Sequence, residues 1–220
     1  MGTTVFQYLR DKGIETLDYV VATHHFEDHI GGMPDVLRRI AARNILLPKN
    51  HHDTTAFNNF MNAVELSGAN VIMPLAGDTF SLGNASVTVL SPRSGDEFDN
   101  RANYSIVMRV VFGQTAFLLT GDAMREVEAN LLDGTANLSS NVLKVARHGA
   151  SSATTSGFLD AVSPSIAVIS SAENSDWLSS DVLRRLDNHG VHIFRTDLHG
   201  NVVITSDGTR LGVTVERDGQ

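Results

Sequence analysis

Three histidines and two carboxylates crowd into the segment His24-His25-Phe26-Glu27-Asp28-His29. That is a metal-ligand density: imidazole nitrogens and carboxylate oxygens together suit zinc and neighbouring transition metals, and a metal so held can activate water for hydrolysis. Taken alone, the cluster is also compatible with a polar loop carrying incidental histidines, so its surroundings matter. Before it, Leu17-Asp18-Tyr19-Val20-Val21-Ala22-Thr23 reads as a buried strand. After it, Met33-Pro34-Asp35-Val36-Leu37-Arg38-Arg39-Ile40 has apolar residues at helical spacing with proline near its start. The cluster is therefore expected on a strand-to-helix turn closed by Gly31-Gly32.

The elements that must position this turn alternate along the chain. Helix is expected over Val5 to Lys12, from Pro34, and from Thr55 to Ser67, with a short strand at Ile45 to Pro48. Strands follow at Val71 to Pro74, Ala85 to Leu90, Ser105 to Phe112 and Thr115 to Thr120, separated by Gly-Asp, Gly-Asn and Gly-Gln turns. The last two make a hairpin around Gly113-Gln114. After Asp122 the pattern predicts helices at Met124 to Leu132, Ser156 to Val162 and Asp181 to Asn188. Strands are expected at Asn141 to Ala146 and Ile166 to Ser170, and a closing hairpin from Val202 to Val215. Sheets flanked by helices account for this mixture.

Composition narrows the chemistry. A chain of 220 residues, 42% hydrophobic, is long enough for one large core, and a single domain over 1–220 is expected. It has no cysteine, which removes disulfides, thiolate ligands and a cysteine nucleophile, so a metal must be held by His, Asp and Glu. A net charge of -8 argues against strong nucleic-acid binding, which needs a basic footprint. The first ten residues lack the basic start and apolar core of a signal peptide, and no segment approaches the roughly 20 apolar residues of a spanning helix. A cytoplasmic protein with no membrane partner is the expectation.

With these motifs in view, the chain resembles the metallo-β-lactamase superfamily, whose signature is His-x-His-x-Asp-His ending in Gly-Gly. Within it, the chain is similar to the hydrolase domain of bacterial DNA-uptake competence proteins. Asn103-Tyr104-Ser105-Ile106-Val107 looks like that branch's Asn-x-Ser-hydrophobic segment, and Phe117-Leu118-Leu119-Thr120-Gly121-Asp122-Ala123 like its Leu-Thr-Gly-Asp. Leu143-Lys144-Val145-Ala146-Arg147-His148-Gly149-Ala150 resembles its Leu-Lys-x-x-His-His-Gly-Ser, and Arg195-Thr196-Asp197-Leu198-His199-Gly200-Asn201 its approach to the closing strands. The resemblance implies an α+β fold, a four-layer αββα sandwich. It also implies N-terminal truncation, because family members usually open with a β-hairpin before the helix that here begins near residue 4. A sheet short of those strands would leave an open edge, so a homodimer, paired through Val5, Phe6, Tyr8 and Leu9, is expected.

The resemblance also implies ligands. In the family two metals lie about 3.5 to 4 Å apart. The first would take His24 and the positions here held by Phe26 and Asn103; phenylalanine has no lone pair, so this half looks lost or weakened. The second would take Asp28, His29, Asp122 and His148. That set implies one Zn2+, or Mn2+, per chain. If the ligand is instead the histidine whose place Arg147 takes, three groups remain. His25 points opposite His24 if the loop is extended, and His51 and His52 sit in a polar loop; all three read as non-ligands, with recruitment to the site as the alternative. His189 and His192 read as surface residues.

The chemistry implied is hydrolysis by a metal-activated water, with Asp28 or Asp122 taking its proton. The amides opening the helix after Gly31 would favour an anionic substrate. Lys144 and Arg147 would hold that small anionic or ester substrate, Arg147 as a bidentate clamp or else as the ion-pair partner of a ligand carboxylate. Phosphoesters come first, with carboxylic esters, lactones and β-lactams as alternatives. The competing reading is a degenerate domain used for binding or assembly, favoured by Phe26, Arg147 and Asn174-Ser175-Asp176-Trp177-Leu178-Ser179, where the related branch has a Tyr-Gly-His-Pro run.

Overall fold

The apolar run ahead of the histidines does form a strand, and parallel strands with short turns at their carboxyl ends are the scaffold of everything that follows. A computed structural model describes residues 2–173 and 175–219, which divide into two units: residues up to Pro74 together with Glu97–Ile106, and Leu75–Asp96 together with the chain from Val107 onward.

In the first unit, helix α1 (Gly2–Asp11) leads to β1 (Thr16–Val21), then α2 (Glu27–Ile30), α3 (Met33–Leu37), β2 (Ala41–Leu46), α4 (Thr55–Ser67) and β3 (Asn70–Ile72). The three strands are parallel in the order β1-β2-β3. Helix α4 has both its ends written in the sequence: the Thr54 hydroxyl accepts from the Phe57 amide at 3.2 Å, and Gly68 closes it at φ 65°. Its buried face, Phe57, Phe60, Ala63 and Val64, packs on Ala22, Ile30, Leu37 and Ile45. The helix expected from Pro34 is present as the short α3, and an additional one-turn helix, α2, precedes it on the other side of Gly31-Gly32. A five-residue helix accumulates little dipole, so the expected anion-binding amides are not built there.

The second unit carries seven strands, β4 (Thr79–Leu82), β5 (Ala85–Ser91), β6 (Val107–Phe112), β7 (Thr115–Leu119), β8 (Val142–Lys144), β9 (Ile166–Ile169) and β10 (His192–Arg195). Strands β4 to β7 form an antiparallel meander, and β7 to β10 run parallel. The parallel connections carry α5 (Arg125–Leu132), α6 (Ser156–Val162) and α7 (Ser180–Asn188). Leu118, Leu143, Phe158, Leu159, Ala167, Ile169, Val182 and Leu186 are buried in this unit. The one-turn α8 (Thr196–His199) precedes the closing hairpin, β11 (Val202–Ser206) and β12 (Leu211–Val215). Strands β4 and β10, with sequences TFSL and HIFR, escape the pattern reading because four residues give too little periodicity to register.

Candidate metal centre

In each unit the candidate ligands stand on turns at the carboxyl ends of parallel strands, where open α/β sheets place their ligands. In the first unit the turn after β1 is organised by Thr23. Its hydroxyl lies 3.3 Å from His24 Nδ1 and 3.4 Å from His29 Nδ1, which orients both rings. The two rings are 4.1 Å apart between centroids, and His29 Nε2 is 3.7 Å from Asp28 Oδ2. Phe26 packs edge-to-face with His24, the ring centroids 4.9 Å apart, and also meets His52 at 5.4 Å between centroids. An apolar ring thus fills the position of the expected second ligand. Asn103 is buried in the 3₁₀ turn Arg101–Tyr104 of the same unit.

His25 points away from this arrangement, as alternation along an extended loop requires. Its ring is buried 4.7 Å from Phe57 and 6.5 Å from Phe60. His51 also leans on Phe57, at 5.0 Å, and His52 lies near Thr54 Oγ1 at 3.3 Å. Burial lowers the His25 pKa from the ordinary 6.5 to about 4. Below pH 6.5 an unfolded chain protonates this residue and the folded one does not, so stability falls with falling pH until about pH 4. The linkage amounts to about 2 kcal/mol by pH 5. Urea unfolding of His25→Phe between pH 7 and 5 is expected to show a correspondingly shallower pH dependence; an unchanged slope would contradict the burial.

In the second unit, the turns after β7 and β8 carry Asp122 and His148. His148 Nδ1 donates to the Ser170 carbonyl at 2.9 Å, beyond the end of β9, which orients the ring and, in the neutral imidazole, puts the lone pair on Nε2. That Nε2 is 3.9 Å from Asp122 Oδ2, and Asp122 is buried. The two turns are stitched together: the Thr120 hydroxyl donates to the Lys144 carbonyl at 2.6 Å, and Gly121 O accepts from Arg147 N and Lys144 Nζ, each at 3.3 Å.

Arg147 and His148 both take left-handed backbone angles, φ 48° and 54°, ahead of Gly149 at 81°. Such a turn costs free energy and persists only where its surroundings hold it. Two buried or half-buried charges supply that hold a few residues on. Glu128 on α5 accepts from the amides of Thr154 and Thr155, and Arg185 on α7 donates to Thr154 O at 2.8 Å and Ala153 O at 3.0 Å. Sequence reasoning missed both residues, because a carboxylate that caps backbone amides 26 residues away leaves no local signal. Arg147 itself turns to Met124 Sδ and to the face of Trp177, 5.3 Å from the ring centroid. Among the described residues it forms no ion pair with a ligand carboxylate. Of the segment that departs from the related branch, Asn174 lies outside the described residues.

This fold and these turns define a known class. The chain belongs to the metallo-β-lactamase superfamily, whose model matches residues 2–173. Among particular proteins it is 28% identical over 197 residues to ComE operon protein 3 of Bacillus subtilis, covering 89% of this chain and 25% of that protein. It is 29% identical over 201 residues to Competence protein ComA of Neisseria gonorrhoeae, covering 90% and 26%. The chain thus spans about a quarter of the length of the curated relatives it matches. The crystal structure of Tm1679, a metal-dependent hydrolase of the β-lactamase superfamily, matches with a TM-score of 0.54 at 14% identity, over 86% of this chain and 80% of that one. The fold and family expected from the motifs are borne out. Among the described residues no helix is long and apolar enough to cross a membrane.

Proposed function

We propose that this chain is a metal-dependent hydrolase of phosphoesters, with Asp28, His29, Asp122 and His148 holding one ion. The observation that supports it best is the preparation of His148: its Nδ1 is committed to Ser170, its Nε2 faces Asp122, and a strained, clamped turn maintains both. Two imidazoles and two carboxylates are a donor set that Zn2+ or Mn2+ accepts. When bound, the ion supplies a Lewis acid and lowers the pKa of its water towards about 7. The residues do the rest. Asp28, the exposed carboxylate of the set, would take the proton released on attack, while Asp122, buried beside His148, would serve as a ligand. Lys144 and Arg147 supply positive charge for the ester's anionic oxygens.

A second reading, a non-catalytic binding or assembly module, is favoured by one specific observation: Phe26 presses an apolar ring on His24 where the family places a ligand. A panel of aryl phosphodiesters, phosphotriesters, carboxylic esters and a chromogenic β-lactam separates the two. Phosphoester turnover is expected, abolished by a strong chelator, restored by zinc or manganese and indifferent to serine- and cysteine-directed reagents. Turnover that survives the chelator contradicts the metal chemistry, and none on any ester favours the module.

A further inference from the structure

Arg147 and Trp177 form the most suggestive pair on the second unit that the ligand turns leave unexplained. The guanidinium lies over the indole at 5.3 Å, one N–H meets the Met124 sulfur, and no ion pair to Arg147 occurs among the described residues. Stacking on an indole uses only the flat face of a guanidinium. The N–H groups at its edge keep their capacity to donate, and a thioether is a weak acceptor for the one it engages. An arginine held this way is pre-set for bidentate capture of a phosphoryl group. Its position in the chain, one residue before His148, puts that capture on the turn that carries a candidate ligand.

Trp177 is 56% exposed, so part of its ring is open to a partner. The segment bearing it is nevertheless fixed to the same turn. Ser179 N donates to Gly149 O at 2.9 Å, Trp177 N donates to Ser175 Oγ at 3.3 Å, and Leu178 packs so closely on Gly149 that an added Cβ there would lie 2.6 Å from its Cδ1. A fixed indole with free surface, joined to an arginine with free donors, is a two-part recognition surface.

We infer that Arg147 and Trp177 recognise a phosphate ester bearing a flat aromatic group, the guanidinium taking the phosphoryl oxygens and the indole stacking on the ring. The inference rests on the phosphoester reading above and names its substrate class. An alkyl ester offers the arginine the same phosphate but gives the indole nothing flat to cover it. Base–aromatic stacking is worth enough for the aryl ester to bind about tenfold more tightly.

Trp177 is the sole tryptophan of the chain, so its emission reports on this surface alone. The test is titration of chelator-treated protein with phenyl phosphate, thymidine 5′-phosphate and methyl phosphate, followed by fluorescence and calorimetry. Because the protein is metal-free, the result stands apart from whether a metal binds. Expected are a saturable change in emission with phenyl phosphate and affinity about tenfold above methyl phosphate. Trp177→Leu should erase that preference, and Arg147→Gln should weaken all the phosphates. A preference shared by the aryl and nucleotide probes assigns flat rings in general, and one confined to thymidine 5′-phosphate assigns a nucleobase. Equal affinity for phenyl, thymidine and methyl phosphates, or a preference that survives Trp177→Leu, overturns the inference.

Discussion

Asp122→Ala is expected to lower metal affinity by more than about 100-fold and to take phosphoester hydrolysis to background, while leaving the protein folded. Outer-shell partners of ligands alone are worth about 10- to 100-fold in affinity, and loss of a ligand exceeds that. Asp122 is a buried carboxylate on the tight turn after β7, directly facing His148 Nε2, so its removal deletes both a ligand and the negative charge that favours a cation there. Asp122→Asn keeps the shape of the turn and discards the charge. It is expected to fall close to the alanine variant, which separates lost electrostatics from lost packing. Competition titration against a chromogenic chelator gives the affinities. Circular dichroism checks the fold, and metal affinity unchanged in both Asp122→Ala and His29→Ala would refute the ligand assignment.

Glu128→Ala is expected to cost about 3 to 5 kcal/mol of stability. The carboxylate is buried on α5 and accepts from two consecutive amides, one belonging to Thr154 at φ 58°. Removing it forfeits two charge-assisted hydrogen bonds and leaves the amides of buried Thr154 and half-buried Thr155 without this acceptor, on a stretch of backbone already strained. Glu128→Gln retains one acceptor oxygen and is expected to lose roughly half as much. Denaturant unfolding measures both. Equal stability of Glu128→Ala and the parent protein would show that the loop between His148 and α6 is held by something other than this clamp.

The contrast between α4 and the segment after the histidines shows what a sequence makes legible. Helix α4 carries its own start and stop, Thr54 and Gly68, and its apolar spacing agrees with the face it buries, so its limits are found to the residue. The closing hairpin and α6 are equally local. Met33 to Ile40 has helical spacing too, but Gly31 and Gly32 precede it and the helix closes at Leu37, with its last turn running on as Arg38 and Ile40 donate to Pro34 and Val36. Periodicity identified the buried side without fixing the length of the helix. At the site, strand-loop alternation separates His24 from His25, and the structure places them accordingly, one beside His29 and the other against Phe57. Alternation is silent on Arg147 and His148, because consecutive left-handed residues reverse the chain in a way that neither period describes. Ser170 and Trp177 act on that turn, and Glu128 on the loop after it, across separations of 22 or more residues, at which no spacing rule operates.

The central claim is that four side chains, Asp28, His29, Asp122 and His148, hold one ion. Metal content is its most direct test, measured by elemental analysis on protein purified without a histidine tag, supplemented with zinc or manganese and then desalted. About one equivalent of transition metal per chain is predicted. Protein that retains none after supplementation would contradict the account and leave a metallo-β-lactamase fold that binds without catalysing.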